Sequence, residues 1–93
     1  MTLEASIEKY LIRCVKEWRG LVLKLVPFNL KGIPDRLIVL PGPRIIFVEV
    51  KRPKGGVVAR HQTWWMERLV ALGCEHAFVY TTDDVDKLIG KPT

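Results

Sequence analysis

Two kinds of hydrophobic pattern alternate along the chain. From Thr2 to Arg19 the apolar residues Leu3, Ile7, Leu11, Cys14, Val15 and Trp18 return at three- and four-residue steps, the repeat of one helix face. Thr2 suits the N-cap, Glu4 and Glu8 suit the positive end of the helix, and Gly20 stops it. Leu21 to Phe28 (LVLKLVPF) then reads as a strand broken at Pro27, and 29–34 (NLKGIP) as a loop. Arg36 to Leu40 is a second strand, Pro41-Gly42-Pro43 a turn, and Arg44 to Lys51 (RIIFVEVK) a third strand. That third strand is apolar on both faces, which predicts a central place in a sheet. A basic, glycine-containing loop covers 52–58. Ala59 to Leu72 reads as a second helix with Trp65, Met66, Leu69, Val70 and Leu72 on or near its apolar side, ended by Gly73. Glu75 to Thr82 is a fourth strand, and Thr82 or Asp83 caps a short last helix containing Val85, Leu88 and Ile89. The order αβββαβα predicts a mixed α/β fold with a tight hairpin at its centre.

Composition narrows the class without naming a chemistry. With 93 residues, one domain spanning 1–93 is expected. Hydrophobic residues at 48% and charged residues at 27% argue against disorder. No apolar run approaches the ~18 residues of a membrane span. The opening MTLEASIEKY lacks the basic-then-apolar layout of a signal peptide, so a cytoplasmic location is expected. Cys14 and Cys74 sit in no CxxC pair, and His61 and His76 complete no zinc pattern, which leaves two reduced thiols. Fifteen Lys and Arg against ten Asp and Glu give a net charge of +5, which suits a polyanionic partner but is weak evidence alone.

The central hairpin carries the chemical information. Side chains alternate along a strand, so Ile45, Phe47, Glu49 and Lys51 share one face of the third strand, and Asp35, Leu37 and Val39 share one face of the second. A three-residue turn at 41–43 pairs Leu40 with Arg44, Val39 with Ile45 and Leu37 with Phe47. Asp35 then stands opposite Glu49, with Lys51 just beyond on the same face. Like charges directly opposite destabilise a hairpin, and carboxylates at the end of an apolar face resist desolvation. A divalent cation removes the repulsion, and paired hard oxygen ligands with room for water suit magnesium or manganese. The residues alone leave a second reading open, in which Lys51 neutralises Glu49 and Asp35 is a solvated turn residue.

Gly32-Ile33-Pro34-Asp35 followed by Glu49-Val50-Lys51 resembles the PD-(D/E)XK nuclease signature. The longer pattern KGIPDRLIVLPG, RIIFVEVKRPKG and RHQTWWMERLVALG resembles the VRR-NUC family, the virus-type replication and repair nuclease domain, over about Glu4 to Thr82. The resemblance implies a restriction-endonuclease-like αβββαβ core with a mixed central sheet flanked by helices. It implies that Asp35 and Glu49 are metal ligands, that the Val50 carbonyl is a further ligand, and that Lys51 is catalytic. Gln62, with Trp65 after it, matches the helix glutamine that borders the family's site. Gln62 also lies on the flank of the apolar stripe, where a partly buried amide needs partners, either in the site or in nearby loop backbone. The family's first-helix glutamate matches either Glu8, in Glu8-Lys-Tyr-Leu11-Ile12, or Glu4, and Glu8 is preferred. Phosphodiester hydrolysis leaving a 5′-phosphate and a 3′-hydroxyl is what the family implies.

Lys51, Arg52, Lys54 and Arg60 follow the carboxylates with no intervening acid, and Lys31 and Arg36 flank Asp35. A basic rim around an acidic metal centre suits phosphate attraction outside and metal inside, although a merely solvated charged loop is the simpler account. Trp65 is expected in the core and Trp64 at the surface or a subunit contact. No helix-turn-helix, zinc module or long recognition helix reads bases, so selection by DNA shape is expected. A twofold homodimer, with Trp18 and Trp64 as candidate interface residues, would match the symmetry of a four-way junction. The expectation is therefore a metal-dependent, structure-specific DNA endonuclease of Holliday-junction type, from a phage or prophage. The alternatives are a flap or nicking nuclease, a catalytically silent DNA-binding module and an RNA-directed nuclease.

Overall fold

A computed structural model describes residues 2–26 and 28–92, so the strand break expected at Pro27 lies outside the described residues. The elements are α1 (Leu3–Glu17), β1 (Leu21–Lys24), β2 (Arg36–Leu40), β3 (Arg44–Val50), α2 (Arg60–Ala71), β4 (Glu75–Val79) and α3 (Thr82–Ile89), in the predicted order. The strands form one mixed sheet, β1-β2-β3-β4, with β1, β2 and β3 antiparallel and β4 parallel to β3. The apolar third strand is central, as its two-faced pattern required. The hairpin register is the expected one, with Leu40 opposite Arg44, Val39 opposite Ile45 and Leu37 opposite Phe47.

The sheet has one well-covered face. Ile38 and Leu40 of β2, Ile46, Val48 and Val50 of β3 and Val79 of β4 point to it and are buried. α1 closes this face with Ile7, Leu11, Cys14 and Val15, and α3 with Val85 and Ile89. Leu3, counted on the apolar face of the first helix, is the first residue of α1 and is exposed. Trp18 packs against the core and its indole N–H donates to the Gly90 carbonyl at 3.1 Å, so it joins α1 to the end of α3 and is not an open interface residue.

α2 lies on the opposite face, packs on β4 and buries none of its residues completely. Trp65, Met66 and Leu69 are half-buried, while Val70 and Leu72, expected on the apolar side, are exposed. Leu21 and Leu23 of β1 and Ile45 of β3 are also exposed on this face.

Several boundaries differ from expectation: β4, expected to reach Thr82, ends at Val79, because Thr82 already opens α3. β1 ends at Lys24, opposite the first residue of β2, with one further bond from the Leu25 N–H to the Asp35 carbonyl, although the apolar sequence continues. Gly20 is required by close approach: a Cβ there would lie 2.5 Å from the Val39 carbonyl oxygen, and the left-handed residue after α1 is Arg19, with φ 59°. α3 is capped one residue earlier than expected, by Thr81. Its hydroxyl accepts from the Asp84 N–H at 3.1 Å, while the Asp84 carboxylate accepts from the N–H groups of Thr81 and Tyr80.

Candidate active site

The sheet end away from the 41–43 turn gathers most of the residues singled out by sequence. Asp35 immediately precedes β2, and Glu49 is the penultimate residue of β3 on the same face. The Asp35 N–H donates to Glu49 Oε2 at 3.1 Å. Glu49 Oε1 accepts from Gln62 Nε2 at 2.9 Å. The other end of that amide, Oε1, accepts from Lys51 Nζ at 2.6 Å and from the Ala59 N–H at 3.0 Å. Gln62 thus connects carboxylate and lysine and also caps the start of α2, so both roles open to it at the sequence level are filled at once. Val50 alternates to the covered face and is 2% exposed, so only its main chain is available to this site.

The electrostatics are those of two acids kept apart from water. Glu49 is 8% exposed, the one buried charged residue among those described. Burial first, and then the neighbouring Asp35 carboxylate, push its pKa up to about 7. Burial also raises Asp35, and the negative charge of Glu4 raises both groups, while Lys51 pulls both down. Asp35 Oδ1 is buried with no hydrogen-bond partner. An orphaned carboxylate oxygen beside a second half-neutralised carboxylate is a costly arrangement that a hard cation relieves. Among the described residues no three His, Cys, Asp or Glu side chains converge as a closed metal cage. Two carboxylates with open positions left for water and phosphate fit magnesium or manganese.

The first-helix acid is placed differently from the sequence preference. Glu8 accepts from the Arg36 guanidinium in a part-buried ion pair, because Arg36 alternates away from Asp35 and meets α1 on the covered face. Glu4 is the helix acid whose charge acts on Asp35 and Glu49. The same ion pair removes Arg36 from the basic rim. Lys31, Arg52, Lys54 and Arg60 remain exposed.

Three further residues contribute, of which Lys24 carries little sequence signal and the other two act through contacts no pattern reports. Lys24, the exposed end of β1, acts electrostatically on Asp35. Gly32, at φ 83°, lies so close to α2 that a Cβ would fall 2.5 Å from the His61 carbonyl carbon and 2.8 Å from the Gln62 nitrogen. Trp65 Nε1 donates to the Lys31 carbonyl at 2.9 Å. Together these two residues dock the loop before Asp35 on the helix that carries Gln62. A cavity of about 520 Å³ lies at the opposite end of β3, lined by Arg44, Phe47 and Glu75 among others, and takes no part in this constellation.

A hairpin that sets an acid against an acid, with a lysine two residues on and a parallel strand beside it, defines the PD-(D/E)XK class of nuclease fold. No family model matches the chain. A solved structure described as a VRR_NUC domain superposes with a TM-score of 0.86 at 36% identity, covering 96% of each chain. The chain is also 38% identical over 86 residues to a protein of Acyrthosiphon pisum secondary endosymbiont phage 1 named "Putative nuclease p44", covering 92% of this chain and 90% of that one. The chain belongs to the VRR-NUC family.

Proposed function

We propose that this nuclease-family protein is a magnesium- or manganese-dependent endonuclease that cuts branched DNA at four-way junctions as a twofold homodimer. The observation that carries the chemistry is the pairing of half-buried Asp35 with buried Glu49, joined through Gln62 to Lys51, with Asp35 Oδ1 left unpartnered. Asp35, Glu49 and the Val50 carbonyl hold the cation, and Glu4, in preference to Glu8, is the first-helix acid facing it. The cation supplies positive charge at the scissile phosphate and makes a water molecule acidic enough to attack at neutral pH. Gln62 accepts from the Lys51 ammonium and fixes it beside Glu49, where it stabilises the charge that develops on the phosphate oxygens. In-line hydrolysis leaves a 5′-phosphate and a 3′-hydroxyl. Lys24, Lys31, Arg52, Lys54 and Arg60 track the flanking phosphates.

The homodimer rests on the second sheet face. Leu21, Leu23 and Ile45 are exposed there and Trp64 is exposed on α2, and large apolar side chains left uncovered suit an interaction surface. The setting is the cytoplasm of a phage-infected cell, which fits the phage origin of the relative. No helix among the described residues is long and apolar enough to cross a membrane.

The test is cleavage of labelled junction, flap, nicked and linear DNA with magnesium, manganese or chelator, beside sedimentation at micromolar concentration. Paired symmetric cuts in junctions, loss of cutting in chelator and a mass of roughly twice 10.7 kDa are expected. A monomer that cuts flaps alone, or binding without cleavage in either metal, would overturn the reading.

A further inference from the structure

The segment between β1 and β2 is built as an anchored projection. The Leu25 N–H donates to the Asp35 carbonyl at 2.9 Å, so the chain leaving β1 and the chain entering β2 are pinned together. The neck of the intervening loop is thereby the candidate metal ligand itself. The flank next to Asp35 is fixed: Pro34 is fully buried, Gly32 presses against α2, and the Lys31 carbonyl is held by Trp65. The other flank carries apolar side chains left largely exposed by the described residues. Val26 is 75%, Phe28 82% and Leu30 45% exposed, and Phe28 is the most exposed large hydrophobic residue among those described. The Phe28 N–H donates to the Val26 carbonyl at 2.8 Å, and Asn29 takes φ 65°.

The charge around this tip selects its occupant. Lys24 and Lys31 bracket it, and no acidic residue lies between them. The loop leads directly into the carboxylates that face the scissile phosphate. An aromatic ring between cations, beside a phosphodiester site, is complementary to a nucleobase flanked by phosphates. A continuous duplex keeps its base faces stacked and closed to such a ring, whereas a branch point, nick or flap exposes one.

We propose that Phe28 stacks on the base exposed at a DNA discontinuity, so that the loop ending in Asp35 selects broken or branched duplex and seats it at the metal site. This rests on the nuclease reading above and adds the residue that selects the substrate.

The experiment uses the full chain and two readouts. In the first, junction DNA carries 2-aminopurine at the branch point, and binding is followed by fluorescence with the Lys51→Ala protein, alone and combined with Phe28→Ala or Phe28→Trp. Unstacking of the branch-point base should change the fluorescence with Phe28 or Trp present and leave it near the free-DNA value with Ala. In the second, the ratio of junction to single-strand cleavage should fall at least about fivefold in Phe28→Ala and recover in Phe28→Trp, the scale expected for losing one aromatic–base stack. Equal fluorescence changes with Phe28 and Ala would overturn the proposal, as would an unchanged cleavage ratio. It would also be overturned if Phe28→Ala turned a sedimenting dimer into a monomer, because the tip would then be a subunit contact. Failure of the wild-type protein to cut any DNA would defeat the nuclease reading alone, since the fluorescence arm needs only binding.

Discussion

The two faces of the central sheet follow opposite rules. The face under α1 and α3 is a closed core of branched aliphatic side chains, with Val22 and Trp18 sealing its margins. The face under α2 contains Leu37, Phe47, His76 and Phe78 in half-buried positions and ends in the Asp35–Glu49 pair. One face spends its apolar area on stability; the other stays open and accepts like charges side by side. The comparison teaches that a chain this small can hold a strained acidic site because the face behind it supplies the folding energy.

The largest expected effect falls on the open face. Asp35→Asn and Glu49→Gln should each abolish cleavage while leaving the melting temperature unchanged or raised, because neutralising one acid relieves repulsion and desolvation. Magnesium should raise the melting temperature of the wild type and do so far less for either variant. Variants that melt well below the wild type and keep the full magnesium shift would make the pair structural.

Adjacent residues of β3 test the contrast within one strand. Ile46→Ala, on the covered face, should cost about 2–5 kcal/mol in chemical denaturation. Ile45→Ala, half-exposed on the other face, should cost less than about 1 kcal/mol in dilute protein. If its cost grew with protein concentration, the open face would be a subunit contact.

The third expectation concerns pH. The folded Glu49 pKa of about 7 lies above its ordinary value of 4.5, so the metal-free folded state binds more protons than the unfolded state between those limits. This contribution to stability is greatest below about pH 4.5 and is lost as pH rises to about 7. The full loss amounts to about 3 kcal/mol at most. Urea midpoints at pH 5 and pH 8 should differ in that direction, and Glu49→Gln should flatten the difference.

The remaining expectation is for Lys51→Ala, which bears on turnover alone. It should keep the fold and DNA binding and reduce cleavage at least about 100-fold, the size of one lost electrostatic contact to the transition state. Near-normal single-turnover cleavage by this variant would remove the lysine from the mechanism.

Much of this arrangement was legible before the structure, and the rest was hidden for identifiable reasons. The juxtaposition of Asp35 and Glu49 followed from turn length and strand alternation alone, both strictly local properties. That Arg36 turns away from the site was recoverable by the same alternation, since the residue next to Asp35 must face the other way, but its pairing with Glu8 is a contact between distant segments. Glu4 and Glu8, one helical turn apart, gave no local means of choosing between them. The end of β1 was not legible, because LVLKLV is equally apolar throughout and the strand ends where its partner does. The docking of Gly32 and Trp65 joins segments far apart in sequence, and no periodicity reports such a contact.

The turn Pro41-Gly42-Pro43 has a significance that its exposed position conceals. Being three residues long, it sets the phase of two strands whose side chains alternate up and down. An insertion or deletion of one residue there, if the turn still closed on three residues, would slip the strands and bring Asp35 opposite Val48 or Val50, both of which point to the covered face. The carboxylates would then lie on opposite sides of a sheet whose composition had barely changed. The turn therefore behaves like a reading frame: substitutions within it change words at a distant loop, whereas a change of length mistranslates the active site at the other end of the hairpin.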